Sequence, residues 1–354
     1  MSQNLNPQQQ AALKYIDGPL LVLAGAGSGK TSVITRKIAY LVEDCGIAAR
    51  NIAAVTFTNK AAREMKVRVS GLLNKEKARG LTVSTFHNLG LTIIRTEIKA
   101  LGFRPGFSIL DHEDCRKLIK ELLVRHTELD EKLIDTAQST ISNWKNSLLE
   151  PGQVVGAADS TGEQAVAMLY ERYQRALKAY NAVDFDDLIM TPVLLFRQQP
   201  EVLAKWKRRI RYLLVDEYQD TNLAQYELVK TLVNENQALT VVGDDDQSIY
   251  AWRGARPENL MQLQEDFPSL NVIKLEQNYR STASILKAAN ALIANNTERM
   301  GKELWTDGRE GEAINLYAAF NEHDEARYVV ETIESALKTG LARSDIAILY
   351  RSNA

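Results

Sequence analysis

The stretch "LLVLAGAGSGKTSVITRKIAYL", residues 20–41, joins an apolar run to a glycine-rich loop and then to an amphipathic segment. The apolar run predicts a buried β-strand, and the segment after Lys30 predicts a helix. Glycines between them let backbone N–H groups turn toward phosphate oxygens, and the helix N-terminus adds its positive dipole. Lys30 would reach the β- and γ-phosphates, and the Thr31 hydroxyl would ligate Mg²⁺. The stretch therefore predicts a phosphate site of the P-loop kind.

One position departs from the strict P-loop pattern. Ala24 stands where that pattern has glycine, although the final Gly-Lys-Thr is intact. The alternative is a glycine-rich turn that binds no ligand. The loop residues predicted to contact the nucleotide are Ala24, Gly25, Ala26, Gly27, Ser28, Gly29, Lys30 and Thr31.

Apolar, strand-like runs recur along the chain, and several are continuous enough to be buried on both faces. Helical patterns separate them, which predicts an α/β fold with a mostly parallel sheet and helices on both faces. The runs span 20–25, 52–58, 81–87, 212–218, 239–244 and 272–278.

Two segments interrupt this alternation. Residues 88–196 contain no convincing strand and predict an all-helical insertion, which leaves 1–87 and 197–278 as the first domain. After residue 279, "AINLYAAF" (313–320), a helix over about 322–338 and "DIAILYRS" (345–352) predict one βαβ unit. Residues 279–354 are therefore expected to be the incomplete start of a second α/β domain.

Composition indicates a globular protein of the cytoplasm. The 354 residues carry a net charge of −2, so no overall basic field indicates nucleic acid, although Lys60–Arg79 holds seven basic and two acidic residues. That basic run is either a solvated helix face or a phosphate track. Two cysteines without metal-ligand spacing fit a reducing compartment. No signal peptide or membrane span is predicted.

A pair of carboxylates follows the strand-like run at 212–215. Asp216 would hold Mg²⁺ together with Thr31, and Glu217 would orient or deprotonate an attacking water. The alternative is a strand end with two solvent-facing acids. Beside a phosphate loop, the pair favours a nucleotide hydrolase over a protein that only binds nucleotide.

Eight motifs in order give the chain a recognisable resemblance. It is similar to superfamily 1 DNA helicases of the UvrD/Rep/PcrA type, and most of all to the Rep branch, over the N-terminal half of a family member. The motifs are "LNPQQQAAL" (5–13), "AGAGSGKT" (24–31), "AVTFTNKAAREM" (54–65), "TFHNLG" (85–90), "DFDDLI" (184–189), "LLVDEYQDTN" (213–222), "VVGDDDQSIYAWRGA" (241–255) and "LEQNYRS" (275–281).

The resemblance implies an ATP-driven motor with two RecA-like domains that moves 3′ to 5′ on single-stranded DNA and opens duplex junctions, with replication or repair proteins as further partners. The insertion then corresponds to the accessory subdomain of the first motor domain. ATP and Mg²⁺ are the implied cofactors. The catalytic residues implied are Lys30, Thr31, Asp216, Glu217, Gln247 and Arg280.

On the nucleotide side, Gln9 matches the glutamine that reads adenine, with Gln8 and Gln10 as alternatives of register. Tyr279 resembles the residue that stacks on adenine, and Arg280 resembles an arginine that reaches γ-phosphate from the second domain. An ordinary surface pair is the alternative for these last two.

Within the same set, Gln247 can hydrogen-bond water and γ-phosphate and so report whether ATP is present. The aromatic residues that follow it can stack on bases without sequence preference. Core packing is the alternative for Tyr250 and Trp252. The residues predicted to contact DNA are Phe57, Thr58, Asn59, Thr85, Phe86, His87, Tyr250, Trp252 and Arg253.

Two further expectations concern polar residues outside these sets. Asp184, Asp186 and Asp187 are expected to cap a helix or to pair with Arg or Lys. Ser32 replaces the arginine that usually follows the loop threonine in the family, and Arg36, one helical turn later, is the candidate substitute.

Two other functional classes compete with the helicase. One is a P-loop ATPase of another class, such as a kinase or transporter motor, and the other is a DNA-binding fragment without enzymatic activity. A second γ-phosphate arginine that the resemblance implies has no match before Ala354. The chain alone is therefore expected to show little turnover or unwinding.

Overall fold

A six-stranded parallel sheet forms the centre of the computed structural model, which describes residues 5–123, 131–157, 161–297 and 299–350. Its strand order is β3-β2-β6-β7-β1-β8, and each predicted run of the first domain forms one of these strands. A separate pair, β4 with β5, is also parallel. The strands are β1 Leu20–Ala24, β2 Ile52–Thr56, β3 Thr82–Thr85, β4 Ser108–Ile109, β5 Ala182–Val183, β6 Tyr212–Val215, β7 Leu239–Gly243 and β8 Asn271–Leu275.

Helices cover both faces of the large sheet, as predicted. In chain order, the first seven helices are α1 Pro7–Lys14, α2 Lys30–Glu43, α3 Asn59–Leu72, α4 Phe86–Thr96, α5 His112–Leu123, α6 Glu131–Asn146 and α7 Pro151–Ala157. The next seven are α8 Thr161–Ala179, α9 Asp187–Gln198, α10 Pro200–Arg209, α11 Leu223–Leu232, α12 Glu258–Asp266, α13 Ala283–Ile293 and α14 Glu322–Lys338.

The central strands are apolar throughout because each face packs on its own core. Leu20 and Val22 face a core shared with α1, α2 and α3, whereas Leu21 faces the core formed with α4 and α9 to α12. This alternation follows from the two-residue period of a strand. Helices α4 and α9 thus pack on the sheet, although most of their length falls inside the range 88–196.

The insertion has a third core, formed mainly by α5, α6, α7 and α8. It is not entirely helical as predicted, because residues 108–109 and 182–183 pair as β4 and β5. Two residues per strand are too short for an alternating pattern to show in the sequence.

The acidic motif at 184–187 pairs with a lysine, as expected. Lys145 is completely buried, and its Nζ lies 2.6 Å from Asp184 Oδ2 and 2.9 Å from Asp187 Oδ1. Burial and the charge of Asp184 raise the pKa of Asp187 to about 6. Because a buried ion pair needs further hydrogen bonds, the Tyr173 hydroxyl donates to Asp184 at 3.0 Å.

Past residue 279 the predicted βαβ unit is only partly present. Helix α14 lies at the predicted position, Glu322–Lys338. The strands predicted at 313–320 and 345–352 are wrong for the described residues 313–320 and 345–350, which form no strand there. Residues 351 and 352 lie outside the described residues. Leu316 and Phe320 are 96% and 98% exposed, so their apolar pattern has nothing to pack against.

Candidate functional site

The carboxyl edge of the sheet collects the loops that follow its strands. Because all six strands are parallel, the segments after β1, β2, β6, β7 and β8 leave the sheet at this same edge. Ligands of open α/β sheets bind in the crevice outside this edge. The edge carries the phosphate loop, the carboxylate pair, Gln247 and the residues around Tyr279.

The loop between β1 and α2 has the geometry of an anion site. Gly27 and Gly29 have φ values of 70° and 90°, in the left-handed region that suits glycine. Gly29 is the N-cap of α2, and it supplies no side-chain cap to the first N–H groups of that helix. These donors can therefore receive phosphate oxygens. Ser28 closes the loop from inside, its hydroxyl donating to Gly25 O at 2.7 Å.

Lys30 and Glu217 form an ion pair across the site, with Lys30 Nζ 3.2 Å from Glu217 Oε2. The Gln219 amide donates to the same carboxylate oxygen at 2.9 Å. Glu217 has φ 52°, a strained value for a residue with a side chain, and such strain concentrates at functional sites. Replacing Glu217 by phosphate as the partner of Lys30 would free this carboxylate to accept a proton.

Asp216 lies beside this pair with its carboxylate buried. Burial and the adjacent charge of Glu217 raise the pKa of Asp216 to about 7. Two neighbouring carboxylates with one lysine between them leave negative charge uncompensated, which fits a hard divalent cation bound by oxygen ligands. Asp216 and the half-buried Thr31 are the residues that would hold Mg²⁺.

Gln9 is positioned against the phosphate loop. Its side chain is buried and donates from Nε2 to Ser28 O at 2.9 Å, whereas Gln8 and Gln10 are exposed. The geometry therefore favours Gln9 over both alternatives of register. Asn6, the N-cap of α1, donates to the Tyr279 hydroxyl at 2.9 Å, which places Tyr279 on the same side of the loop as Gln9.

The segment after β8 lies directly on the loop. Tyr279 N donates to Gly27 O at 3.0 Å, and the Asn278 amide donates to Ala26 O at 2.6 Å. A methyl group added at Gly27 would lie 2.8 Å from Arg280 Cβ, so Arg280 starts beside the phosphate loop. The guanidinium belongs to an exposed residue and can swing toward or away from a nucleotide.

Gln247 is tied to the end of β7, because its amide donates to Asp244 Oδ2. Asp244 N in turn donates to Gln219 Oε1 at 2.9 Å, so hydrogen bonds run from Glu217 through Gln219 and Asp244 to Gln247.

The three consecutive aspartates at this point pair with two cations, Arg299 and Lys302. Lys302 Nζ lies 2.6, 2.5 and 2.7 Å from carboxylate oxygens of Asp244, Asp245 and Asp246. Arg299 makes two hydrogen bonds to Asp246, at 2.9 and 2.7 Å. A cation already occupies the centre of this cluster, so the aspartates are structural.

An aromatic cleft of about 1080 Å³ lies next to this segment, between the first domain and the insertion. The rings of Phe57 and Tyr250 stack with centroids 5.4 Å apart, and Tyr250 lies 6.5 Å from Trp252. Trp252 is 73% exposed, which rules out the core alternative for it. Thr58 and His87 also line the cleft, and burial lowers the pKa of His87 and favours the neutral imidazole.

Two residues predicted to contact DNA have their side chains engaged elsewhere in this structure. Phe86 is 2% exposed and packs in the core beneath the sheet, so its ring cannot stack on a base. Thr85 is buried and caps α4, its hydroxyl accepting from Asn88 N at 3.3 Å. Asn59 is exposed and accepts from the Asn88 amide. The side chain of Arg253 lies outside what the structure describes.

Sequence analysis missed several residues that shape the site. Phe185 is 52% exposed in the cleft, its ring edge-on to His87 at 5.9 Å, and an aromatic residue between acids was the available signal. Gln219 is 1% exposed between Glu217 and Asp244. Lys302 gave no local signal, because its partners lie more than fifty residues earlier in the chain.

Two helicase family models match nearly the whole chain. Residues 5–268 match the UvrD/REP helicase N-terminal domain, and residues 273–354 match the UvrD-like helicase C-terminal domain. No helix among the described ranges is both long and apolar enough to cross a bilayer.

Individual relatives match along the whole chain. It is 55% identical over 350 residues to the ATP-dependent DNA helicase Rep of Escherichia coli (strain K12), covering 99% of this chain and 52% of that protein. It is 46% identical over 357 residues to the ATP-dependent DNA helicase PcrA of Leuconostoc citreum, covering 100% of this chain and 48% of that protein. The chain thus spans about half the length of the relatives it matches. On both domain matches and these identities, the chain belongs to the UvrD/Rep helicase family.

Proposed function

We propose that this chain carries the nucleotide site and the leading DNA contacts of a motor that moves 3′ to 5′ on single-stranded DNA and opens duplex junctions during replication or repair. One observation carries the proposal. The hydrogen-bonded path Lys30–Glu217–Gln219–Asp244–Gln247 enters the segment that bears Tyr250 and Trp252. A change at the phosphate site can therefore reach the aromatic cleft through these hydrogen bonds and the backbone between Gln247 and Trp252.

On the nucleotide side, the proposal begins with an exchange of partners. Lys30 leaves Glu217 to contact the β- and γ-phosphates, and the N–H groups at the start of α2 bind their oxygens. Thr31 and Asp216 would hold Mg²⁺, which neutralises charge on the phosphates. Glu217, freed from Lys30 and still oriented by Gln219, accepts the proton of the attacking water.

On the DNA side, Gln247 senses the γ-phosphate. When its amide turns from Asp244 toward phosphate, the segment 243–252 shifts, and Tyr250 and Trp252 move with it. Trp252 stacks on one base, and the stacked pair of Phe57 and Tyr250 supports the next. Repeated binding and hydrolysis would then move the cleft along the strand.

Arg280 starts beside the phosphate loop, but the packing of residues 313–350, which follow it in the chain, is open. Leu316, Phe320 and Leu349 are all more than 90% exposed, so residues 313–350 do not form a rigid support for an arginine that must cross to the γ-phosphate. One such arginine is worth roughly 10³–10⁵ in rate. We therefore expect the 354-residue chain to bind nucleotide and DNA but to turn over and unwind very slowly.

The test is a measurement of ATP turnover by the purified chain, in a sensitive assay of phosphate release, with and without poly-dT. We expect slow turnover that single-stranded DNA stimulates and duplex DNA does not. Glu217→Gln should bind a fluorescent ATP analogue normally and lose the stimulated turnover, whereas Lys30→Ala should lose binding. Turnover that poly-dT leaves unchanged would instead favour a P-loop ATPase of another class.

The setting of the motor is part of the same proposal. Single-stranded DNA and duplex junctions are its substrates, and proteins of replication or repair are its partners. Cys45 and Cys115 are both free thiols, in keeping with the reducing cytoplasm where bacterial DNA is handled.

A further inference from the structure

Lys37 is a completely buried lysine on the phosphate-loop helix α2. Its Nζ donates to Ala12 O at 2.8 Å and to Tyr15 O at 2.5 Å, two carbonyls at the end of α1. The ammonium also lies 5.9 Å from the centroid of the Tyr212 ring. In the described parts of the chain no carboxylate lies within ion-pair distance of Lys37.

The site favours an ammonium over any apolar side chain of similar length. The last carbonyls of a helix lack partners within the helix and carry the negative end of its dipole. A cation that donates to them satisfies both groups, although burial in an apolar core disfavours the charge. Burial indeed lowers the pKa of Lys37 to about 7.

Helix α1 has little else to hold it in place. It is eight residues long, too short to be stable alone, and only Gln9 and Ala12 on it are buried. Its other anchors are the apolar contact of Ala12 with the core, the hydrogen bond of Gln9 to Ser28 O and that of the cap Asn6 to Tyr279. Lys37 is the anchor at the carboxyl end, and it joins α1 to the helix that begins with Lys30 and Thr31.

We propose that Lys37 is a positioning residue for base recognition, which fixes the distance between Gln9 and the phosphate loop and so sets the preference for adenine nucleotides. The inference rests on the proposed function, in which Gln9 reads the base. A nucleotide has a fixed distance between base and phosphates, so a shift of α1 relative to α2 moves the Gln9 amide off the base edge. Phosphate contacts come from α2 and its loop and are unaffected.

The test is equilibrium binding of fluorescent ATP and GTP analogues to the 354-residue chain. Lys37→Met keeps the length of the stem and removes the donors. We expect it to lower the preference for ATP over GTP roughly tenfold, equivalent to about 1.4 kcal/mol, with GTP binding unchanged. Lys14→Met makes the same chemical change at an exposed position of α1 and should leave both affinities as in the wild type.

A double-mutant cycle distinguishes a positioning role of Lys37 from a general loss of folded structure. If Lys37 acts through Gln9, then Lys37→Met should have no further effect on the ATP preference in a Gln9→Ala background. Lys37→Gln keeps one donor group and should give an intermediate preference, which provides a second variant should Lys37→Met fail to fold.

The outcomes distinguish the inference from the function on which it rests. A wild-type chain that binds both analogues equally would overturn base reading by Gln9. A wild type that prefers ATP, with Lys37 variants that keep this preference or that weaken ATP and GTP equally, would overturn the positioning role of Lys37 and leave the helicase proposal intact.

Discussion

Strand β6 and the run "AINLYAAF" at 313–320 are both rich in apolar residues, yet the first is buried and the second is largely exposed. Every residue of Tyr212–Val215 is buried, whereas Leu316 and Phe320 stand almost fully in solvent. Strand β6 has β2 on one side and β7 on the other. The later run has no strand beside it among the described residues. An extended segment needs such neighbours to satisfy its backbone groups and offset its lost chain entropy.

The same difference governs the site residues. Lys30, Asp216 and Gln247 leave buried strands of one sheet, so their positions relative to one another are fixed. Arg280 follows an edge strand and precedes the open segment. Substitutions at residues supported by the sheet should therefore change the stability or binding of this chain, whereas substitutions in the open segment should not.

The largest expected effect is on stability at the centre of the sheet. Leu214→Ala removes a side chain with no exposed surface from β6, and we expect a loss of about 2–5 kcal/mol in the free energy of unfolding. Urea unfolding followed by circular dichroism measures it. A loss below 1 kcal/mol would mean that the sheet is no better packed than the later segment.

The variants Trp252→Ala and Trp305→Ala compare an exposed tryptophan in the cleft with one outside it. The indole of Trp252 is accessible because it lines the cleft, so we expect Trp252→Ala to weaken single-stranded DNA binding by ~1–3 kcal/mol without a loss of thermal stability. Fluorescence anisotropy with poly-dT and mixed-sequence oligonucleotides checks this. Trp305→Ala, a change of the same kind outside the cleft, is the control; equal losses in both variants would contradict the assignment.

Lys37 gives the sheet region a pH signature that a single variant can isolate. Because burial lowers its pKa to about 7, the unfolded chain binds a proton here between pH 7 and 10.5 that the folded chain does not. The free energy of unfolding of the wild type, relative to Lys37→Met, should therefore rise with pH above 7, by at most about 1.4 kcal/mol per unit. Below pH 7 the difference should be constant. Urea titrations at pH 6, 7.5 and 9 measure it, and a difference that falls with pH would mean that the fold raises the pKa of Lys37 instead of lowering it.

The smallest effect is expected in the open segment. Leu316→Ala removes the same side chain as Leu214→Ala, but from a residue that is 96% exposed, so stability should change by less than about 0.5 kcal/mol. The two variants can be measured side by side. A loss comparable to that of Leu214→Ala would show that the 313–320 run is packed in solution.

The sequence by itself determined the sheet, the loop and the helix α2, because runs that are apolar on both faces and a glycine-rich turn before Lys30 are local patterns. It also placed the carboxylate pair and Gln247 at one edge, since parallel strands bring their carboxyl ends together. For the acidic motif at 184–187 the sequence left two alternatives, a helix cap or a pairing with Arg or Lys, and Lys145 itself could not be named.

Only the tertiary structure decided which residues of each motif face a ligand. Phe86 and Phe57 follow neighbouring strands in similar contexts, yet the first packs in the core and the second opens onto the cleft. The roles of Lys302 and Lys37 became visible only once distant segments met, and the strands predicted at 313–320 and 345–352 have no partners among the residues that the structure describes. The physical reason is the same in each case: burial and hydrogen bonding are settled by neighbours that are remote in sequence, and a local pattern records only what a segment can do when those neighbours are present.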